Sequence, residues 1–347
     1  MREGSVLIVG AGAIGGVVAA GLTEAVGRVV VLDANREHVD RMRTDGLLID
    51  DLGQPRRTVI DAYDDPRRIQ GRFEFGVCTV KAPAIETALS PLVEQDLAET
   101  YVSLGNGLVQ ERVARVVGCA RLIVGTVEWG ATNLGPGHVA RTTNAPFVIG
   151  EPDHRERART RHLAALLEAV APVRISPRIE AQVWGKLLLN STFSGLGAVS
   201  GLLYREIVGT EAGLDLALRL WREAYDVARA EDLDPEPVVG VDPSRLVVRE
   251  PSDRPRAEAA VAEIMRHLGA TKASMLQDLE RRARTEVGVI NGGVVEVGAR
   301  HGVPTPLNAA VVERVQAIEH GEARPEPAAL AELLQPAAHG RHHARRP

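Results

Sequence analysis

Three segments of this chain place polar side chains where apolar ones would be expected. In Trp184-Gly-Lys186-Leu-Leu-Leu-Asn190 an otherwise apolar helix carries Lys186 and Asn190 four positions apart, on one face. The pair can converge on one ligand, or it can be a surface pair with no task. Its neighbours Val183, Trp184 and Leu187–Leu189 argue for enclosure, and an enclosed lysine needs a partner or a role. Val77-Cys-Thr-Val-Lys81-Ala-Pro83 sets Lys81 at the carboxyl end of a buried strand. Doubly wound sheets bind ligands there, although strand-end lysines are also simply solvated. Val102-Ser-Leu-Gly105-Asn106-Gly107 makes a tight loop after a strand, which either presents the Asn106 amide at the sheet edge or only turns the chain.

Further along, Ser274-Met-Leu-Gln277-Asp278 has the spacing of a capping box. With Ser274 as the cap, free backbone N–H groups would face a carboxylate, or the cap would only start a helix. Arg284-Thr-Glu286 puts an acid twelve residues after Ser274. If one straight helix joins them, Glu286 lies roughly 18 Å down its axis and about 120° round from the serine. Taken alone, Glu286 reads as an exposed helix acid.

Near the start, Val6-Leu-Ile-Val-Gly10-Ala-Gly12-Ala-Ile-Gly15 is an apolar strand breaking into Gly-x-Gly-x-x-Gly, then a helix. The first glycine makes the turn, the second lets the backbone approach a pyrophosphate, and the third lets helix and strand pack closely. The diphosphate would lie against the N–H groups at the positive end of the helix. A second strand, Arg28–Asp33, ends in an acid.

These residues need a scaffold, and the pattern supplies one. Strands are expected at Val6–Val9, Val29–Leu32, Phe75–Val80, Thr100–Ser103, Leu122–Thr126, Phe147–Gly150 and Val173–Ser176, with helices at Glu37–Arg43, Ile85–Leu92 and Arg157–Val170. Gly135-Pro-Gly137 marks a turn. From Ile179 on, helical periodicity dominates in Ala181–Ser194, Gly213–Ala230, Arg256–Leu268, Ser274–His301 and Ala309–Glu319. Between the second and third of these, irregularly spaced prolines predict a loop. The layout is an α/β nucleotide-binding domain over residues 1–176 and an all-helical domain over 177–335, with a flexible tail at 336–347. The cleft between two such domains is the expected active site.

The 347 residues suit two domains, and a net charge of −5 gives no electrostatic reason to expect nucleic acid or a membrane surface as partner. No apolar run approaches the roughly 20 residues that span a bilayer. The chain opens on its first strand, so no signal peptide is expected. Two cysteines, Cys78 and Cys119, favour a reducing cytoplasm over a disulfide framework, and no metal site is expected. The His-rich tail from His339 reads as a solvated terminus.

Taken together and in this order, the GAGAIG turn, Lys81, the GNG loop, WGKLLLN, SMLQD and RTE resemble the ketopantoate reductase (2-dehydropantoate 2-reductase) family from about Val6 to Ile318. The resemblance implies a Rossmann-type dinucleotide-binding domain, then an all-α domain like the C-terminal domain of 6-phosphogluconate dehydrogenase. It also implies reduction of 2-dehydropantoate to pantoate by NADPH, on the route to pantothenate and coenzyme A. By residue, it makes Lys186 the catalytic proton donor and places Glu286 beside the nicotinamide ribose in the catalytic group. Gly10, Ala11, Gly12, Ala13, Ile14, Gly15, Lys81, Asn106 and Ala131 become cofactor contacts. Asn106, Lys186, Asn190, Ser274 and Gln277 become contacts to a small 2-oxo acid. The residue types suit that chemistry: charge growing on a ketone oxygen is stabilised by an ammonium that then supplies the proton. Burial would lower a lysine from about 10.4 toward the working range.

Two departures stand out. Family members usually carry a second asparagine four residues after the first, then proline; here Ser194 and Gly195 occupy those positions, giving a substrate-facing position of shorter reach. That leaves open another small 2-oxo acid or imine as substrate; a nucleotide sensor without catalysis is a separate alternative, against which the intact Lys186, Asn190 and Glu286 speak. NADPH-using members commonly carry a basic residue at the end of the second strand, where this chain has Asp33. A carboxylate favours ribose hydroxyls over a 2′-phosphate and so predicts NADH, although Arg36 is near enough to offer a phosphate a cation. The helical domain has apolar surface enough for a homodimer.

Overall fold

The structure is a computed structural model that describes residues 4–335. The chain divides into two compact units, Met1–Trp184 and Gly185–Pro347, with the division inside a helix rather than ahead of it at Pro177. The histidine-rich tail lies outside the described residues.

The first unit runs β1 (Ser5–Val9), α1 (Ala13–Thr23), β2 (Arg28–Leu32), α2 (Arg36–Thr44), β3 (Leu47–Asp51), β4 (Gln54–Thr58), β5 (Asp61–Tyr63), β6 (Phe73–Cys78), α3 (Ile85–Glu94) and β7 (Ala98–Ser103). It continues through α4 (Gln110–Val117), β8 (Leu122–Val127), β9 (Ala131–Gly135), β10 (His138–Arg141), β11 (Phe147–Gly150), α5 (Ala158–Leu167), β12 (Val173–Ile175) and α6 (Ile179–Leu189). Eight strands form the main sheet in the order β12-β11-β8-β7-β6-β1-β2-β5, parallel except where β11 meets β8. The continuous apolar runs of β1, β2, β6 and β8 are buried on both faces, as a parallel sheet requires.

A second sheet, β4-β3-β10-β9, was not foreseen from the sequence. Its strands are short, and β4 reads Gln-Pro-Arg-Arg-Thr, a composition suited to an edge. Val139 of β10 is nonetheless fully buried, where β10 packs against α1. Helix α4 was also missed.

At the end of β11, Glu151 is almost wholly buried and anchors the start of α5. It accepts from Arg159 Nε at 2.9 Å, Arg159 Nη2 at 2.5 Å and Thr160 Oγ1 at 2.6 Å. Burial alone would raise its pKa, but the Arg159 and Thr160 hydrogen bonds and the Arg157 and Arg159 charges outweigh it and hold the carboxyl below the ordinary value. The stabilisation is therefore present above the unfolded carboxyl pKa of roughly 4.3 and is lost as pH falls through the folded one. Glu151→Gln should cost about 2 kcal/mol at neutral pH, discounted because both arginines keep solvent access. Urea melts from pH 7 down to 3 should show a shallower loss of stability in the variant than in the wild type.

The second unit continues from α6. A π-helical turn, Asn190–Ser194, carries the chain into α7 (Gly195–Ser200), followed by α8 (Tyr204–Val208), α9 (Glu211–Ala230) and α10 (Arg254–Leu268). Then come α11 (Ser274–Glu280), α12 (Asn291–His301), α13 (Pro306–Glu319) and α14 (Ala329–Leu334). Phe193, Tyr204 and Trp221 pack at its centre, with Phe193 5.5 Å from Tyr204 and 6.4 Å from Trp221 between ring centroids.

The single helix expected over Ser274–His301 is corrected to two. Arg282 takes a left-handed φ of 55°, and the Thr285 N–H and hydroxyl both donate to Glu319 Oε1 at 2.6 Å. Captured by α13 in this way, Thr285 is drawn out of a helical path. The axial distance and angle expected between Ser274 and Glu286 therefore do not apply.

Candidate active site

The glycine turn follows β1. Gly10 has φ +89°, and a Cβ there would meet Val80 Cγ1 at 2.7 Å. A Cβ on Gly15 would fall onto the Gly10 carbonyl and the Thr79 hydroxyl, so this position joins helix to strand with no room to spare. Gly12 differs: nothing lies within 4 Å of where its Cβ would be. It is the N-cap of α1 without a side-chain hydrogen bond, and the first turn carries no acid. Open backbone at the positive end of a helix fits the diphosphate of a dinucleotide.

Register brings the other candidates of this unit to the same edge. Leu32, Val9, Cys78 and Ser103 are successive neighbours across β2, β1, β6 and β7. Asp33, Gly10, Lys81 and Asn106 all follow within three residues of these strand ends. Asp33 Oδ2 accepts from the Ala11 N–H at 2.7 Å and Oδ1 from the Asn35 N–H at 2.8 Å, tying β2 to the glycine turn. Ala131, partly exposed, opens β9 just past the carboxyl end of β8. Ala13 and Ile14 form the first turn of α1.

Two residues that hold this edge escaped the sequence reading. The Thr79 hydroxyl donates to the Gly10 carbonyl at 2.5 Å. His38, buried on α2, accepts from the Gly137 N–H at Nδ1 (2.8 Å), which leaves Nε2 to donate to the Ala11 carbonyl at 2.8 Å. The imidazole thus clamps the glycine turn to the β9–β10 hairpin. A lone histidine in a charged helix gave no signal of this; only the unforeseen second sheet supplies its partner.

In the second unit the run from Lys186 to Ser200 is buried except at Lys186, Leu189 and Asn190, spaced i, i+3, i+4. The two polar residues therefore share one accessible strip, with Lys186 half-buried rather than enclosed. Neighbouring segments converge on it. Gly197 of α7 approaches Ala273, where a Cβ on the glycine would lie 2.7 Å from the alanine Cβ, so Ser274 starts α11 beside α7. Asn291, five residues after Glu286, bonds the Ser191 carbonyl of the π turn at 2.7 Å. The segments bearing Lys186 and Asn190, Ser274 and Gln277, and Glu286 are thus gathered around the π turn.

Comparison with known proteins fixes the family. The description "Ketopantoate reductase PanE/ApbA" matches residues 6–154, and its C-terminal counterpart matches residues 178–319. The chain belongs to the ketopantoate reductase family. It is an NAD(P)H-dependent oxidoreductase with a Rossmann-type N-terminal domain and a helical C-terminal domain. A 2-dehydropantoate 2-reductase of Archaeoglobus fulgidus is 28% identical over 322 residues, covering 92% of this chain and 100% of its own length. That of Halobacterium salinarum is 29% identical over 316 residues, covering 90% and 97%. Among solved structures, a PanE/ApbA family ketopantoate reductase from Ralstonia eutropha superposes with a TM-score of 0.76 at 26% identity, covering 92% and 99%. D-mandelate dehydrogenase, solved with NADH and anilino(oxo)acetate, shares the fold with a TM-score of 0.77 at 22% identity, covering 91% and 99%. No helix among the described residues is long and apolar enough to cross a membrane.

Against that family background two sequence expectations need correction. Ser274 is not a helix cap: the N-cap is Ala273, the serine is exposed in the first turn, and Gln277 Nε2 donates to the Lys272 carbonyl at 3.2 Å. Seven residues of helix offer a carboxylate less than the expected long helix would. Ser194 is 2% exposed, and its hydroxyl is hydrogen-bonded to the buried Tyr204 hydroxyl at 2.8 Å. Its hydroxyl is turned into the core.

Proposed function

We propose that the chain reduces 2-dehydropantoate to pantoate with a reduced nicotinamide dinucleotide, Lys186 giving the proton, as a step toward pantothenate. The observation that carries this is the accessible strip of Lys186 and Asn190 in an otherwise buried helix, in a chain whose family is established. Gly10 to Gly15, Asp33, Lys81, Asn106 and Ala131 would hold the dinucleotide, which when bound supplies the hydride. Lys186 presents an ammonium where charge develops on the ketone oxygen, stabilising it and then yielding a proton. Asn190 and Asn106 can hold substrate oxygens without competing for that proton. Glu286, partly exposed next to the anchored Thr285, serves the ribose end of the nicotinamide.

Asp33 favours NADH: its carboxylate already fixes the glycine turn and keeps lone pairs for ribose hydroxyls, while a 2′-phosphate would be repelled. Asp33→Asn keeps an acceptor for the Ala11 N–H and removes the charge. The ratio of kcat/KM for NADH over NADPH should exceed one in the wild type and narrow by about tenfold or more in the variant, since like-charge contact costs several kcal/mol. A wild type that already prefers NADPH contradicts this reading.

A second reading, reduction of another small 2-oxo acid, is favoured by Ser194, whose hydroxyl is turned to Tyr204 and offers a substrate no amide. A panel of 2-oxo acids with each reduced nucleotide separates the two. The first reading expects 2-dehydropantoate to give the highest kcat/KM. Turnover of a different 2-oxo acid alone moves the assignment to the second, and turnover of none overturns both.

A further inference from the structure

Helix α6 continues beyond its α-helical bonding. In the π turn Asn190–Ser194 the Gly195 N–H donates five residues back, to the Asn190 carbonyl. Such turns are rare, occur mostly as single inserts and are frequent at functional sites, so what holds one in place matters. Here the holding contact is Asn291. Fully buried at the start of α12, it donates Nδ2 to the Ser191 carbonyl at 2.7 Å and to Asn308 Oδ1 at 3.0 Å. Asn308, equally buried on α13, donates its own Nδ2 to Glu223 Oε2 at 2.9 Å. The Leu307 and Asn308 N–H groups fix the same carboxylate at 2.9 and 3.0 Å. The relay runs from α9 through α13 and α12 to the carbonyl immediately after Asn190.

Two details argue for more than packing. Gly195 leaves the amide its space, since a Cβ there would stand 3.1 Å from Asn291 Oδ1 and 3.2 Å from Nδ2. Asn291 Oδ1, buried, accepts no hydrogen bond. An unsatisfied buried acceptor is costly. The cost is borne at the turn that carries Asn190.

We infer that Asn291 is a positioning residue for the substrate: by fixing the Ser191 carbonyl it sets the direction of Asn190. The inference rests on the reaction proposed above. It is tested with Asn291→Ala, which removes the donor, and with Asn291→Ser, which keeps a smaller polar group and carries the test if the alanine variant does not fold. KM for the 2-oxo acid should rise about tenfold, the order of one lost hydrogen bond, while Kd for the reduced nucleotide stays unchanged. Combined with Asn190→Ala, the Asn291 variant should add nothing to KM, because it acts through Asn190. Additive effects, or an unchanged KM in a folded variant, overturn the inference. Trp221→Phe, which loses the buried Nε1 bond to the Pro243 carbonyl at 2.9 Å, controls for lost stability and should leave KM in place.

If the wild type reduces no 2-oxo acid, the proposed reaction falls by itself and the inference is judged by hydrogen exchange. Amides 190–195 should then lose protection in the Asn291 variants ahead of α9, and equal loss across the helical unit overturns it.

Discussion

Lys186→Ala lowers kcat at least about a hundredfold, the lower range for loss of a general acid, and leaves the affinity for reduced nucleotide within about twofold. Affinity is held because the glycine turn, Asp33 and their supports Thr79 and His38 form a bonded set within the first unit, whereas Lys186 belongs to the second. Folding should survive as well. Lys186 lies on the accessible strip of α6, and the buried residues around it, Leu187 and Leu188, keep their packing. Lys186→Arg separates charge from proton: it retains a cation that does not deprotonate near neutral pH, so its turnover should stay low. Steady-state rates beside a fluorescence titration with NADH check both halves. Near-normal turnover in either variant removes Lys186 as donor.

The second large effect is a contrast between two glycines of one motif. Gly15→Ala places a methyl group on the Gly10 carbonyl and the Thr79 hydroxyl, so strand or helix must move. Overpacking of that kind should cost about 3 kcal/mol, and nucleotide affinity should fall with stability. Gly12→Ala meets nothing within 4 Å, and loss of a glycine N-cap should cost at most about 1 kcal/mol. Its methyl group would nonetheless occupy the open space that a diphosphate must enter, so Kd should rise at least about a hundredfold in a protein that melts almost normally. Denaturant melts and nucleotide titrations on the two variants check this. Unchanged affinity in Gly12→Ala would mean that the diphosphate lies elsewhere.

What the sequence disclosed follows from where each signal resides. The inner strands β1, β2, β6 and β8 are apolar runs, visible in composition because both of their faces are covered, while the short edge strand β5 reads Asp-Ala-Tyr and gives no such signal; Gly10, Gly12 and Gly15 announce their steric tasks in their spacing. The second sheet is hidden because β4 and β9 are polar edges and the pairing that joins their two hairpins, β3 with β10, is long-range. His38 was invisible for the same reason, since its partner Gly137 is ninety-nine residues away. The break between α11 and α12 was missed because apolar spacing continues through Val287, Ile290 and Val294, whereas the breaking force is a carboxylate from α13. Ser194 stood in a suggestive register, but the π turn shifts the faces after Asn190 and sends its hydroxyl to Tyr204. The buried chain of Glu223, Asn308 and Asn291 has no local pattern at all. Burial pushes the Glu223 carboxyl above its ordinary value even with three N–H donors around it.

The central claim is hydride delivery to a 2-oxo acid, with Lys186 supplying the proton. The most direct test is a single turnover of 2-dehydropantoate with reduced nucleotide carrying deuterium on the transferring C4 position, the product being read by mass spectrometry. The account predicts pantoate with one deuterium on its hydroxyl-bearing carbon in the wild type, and almost none formed on the same timescale by Lys186→Ala. Unlabelled pantoate, or no nucleotide oxidised at all, would contradict it.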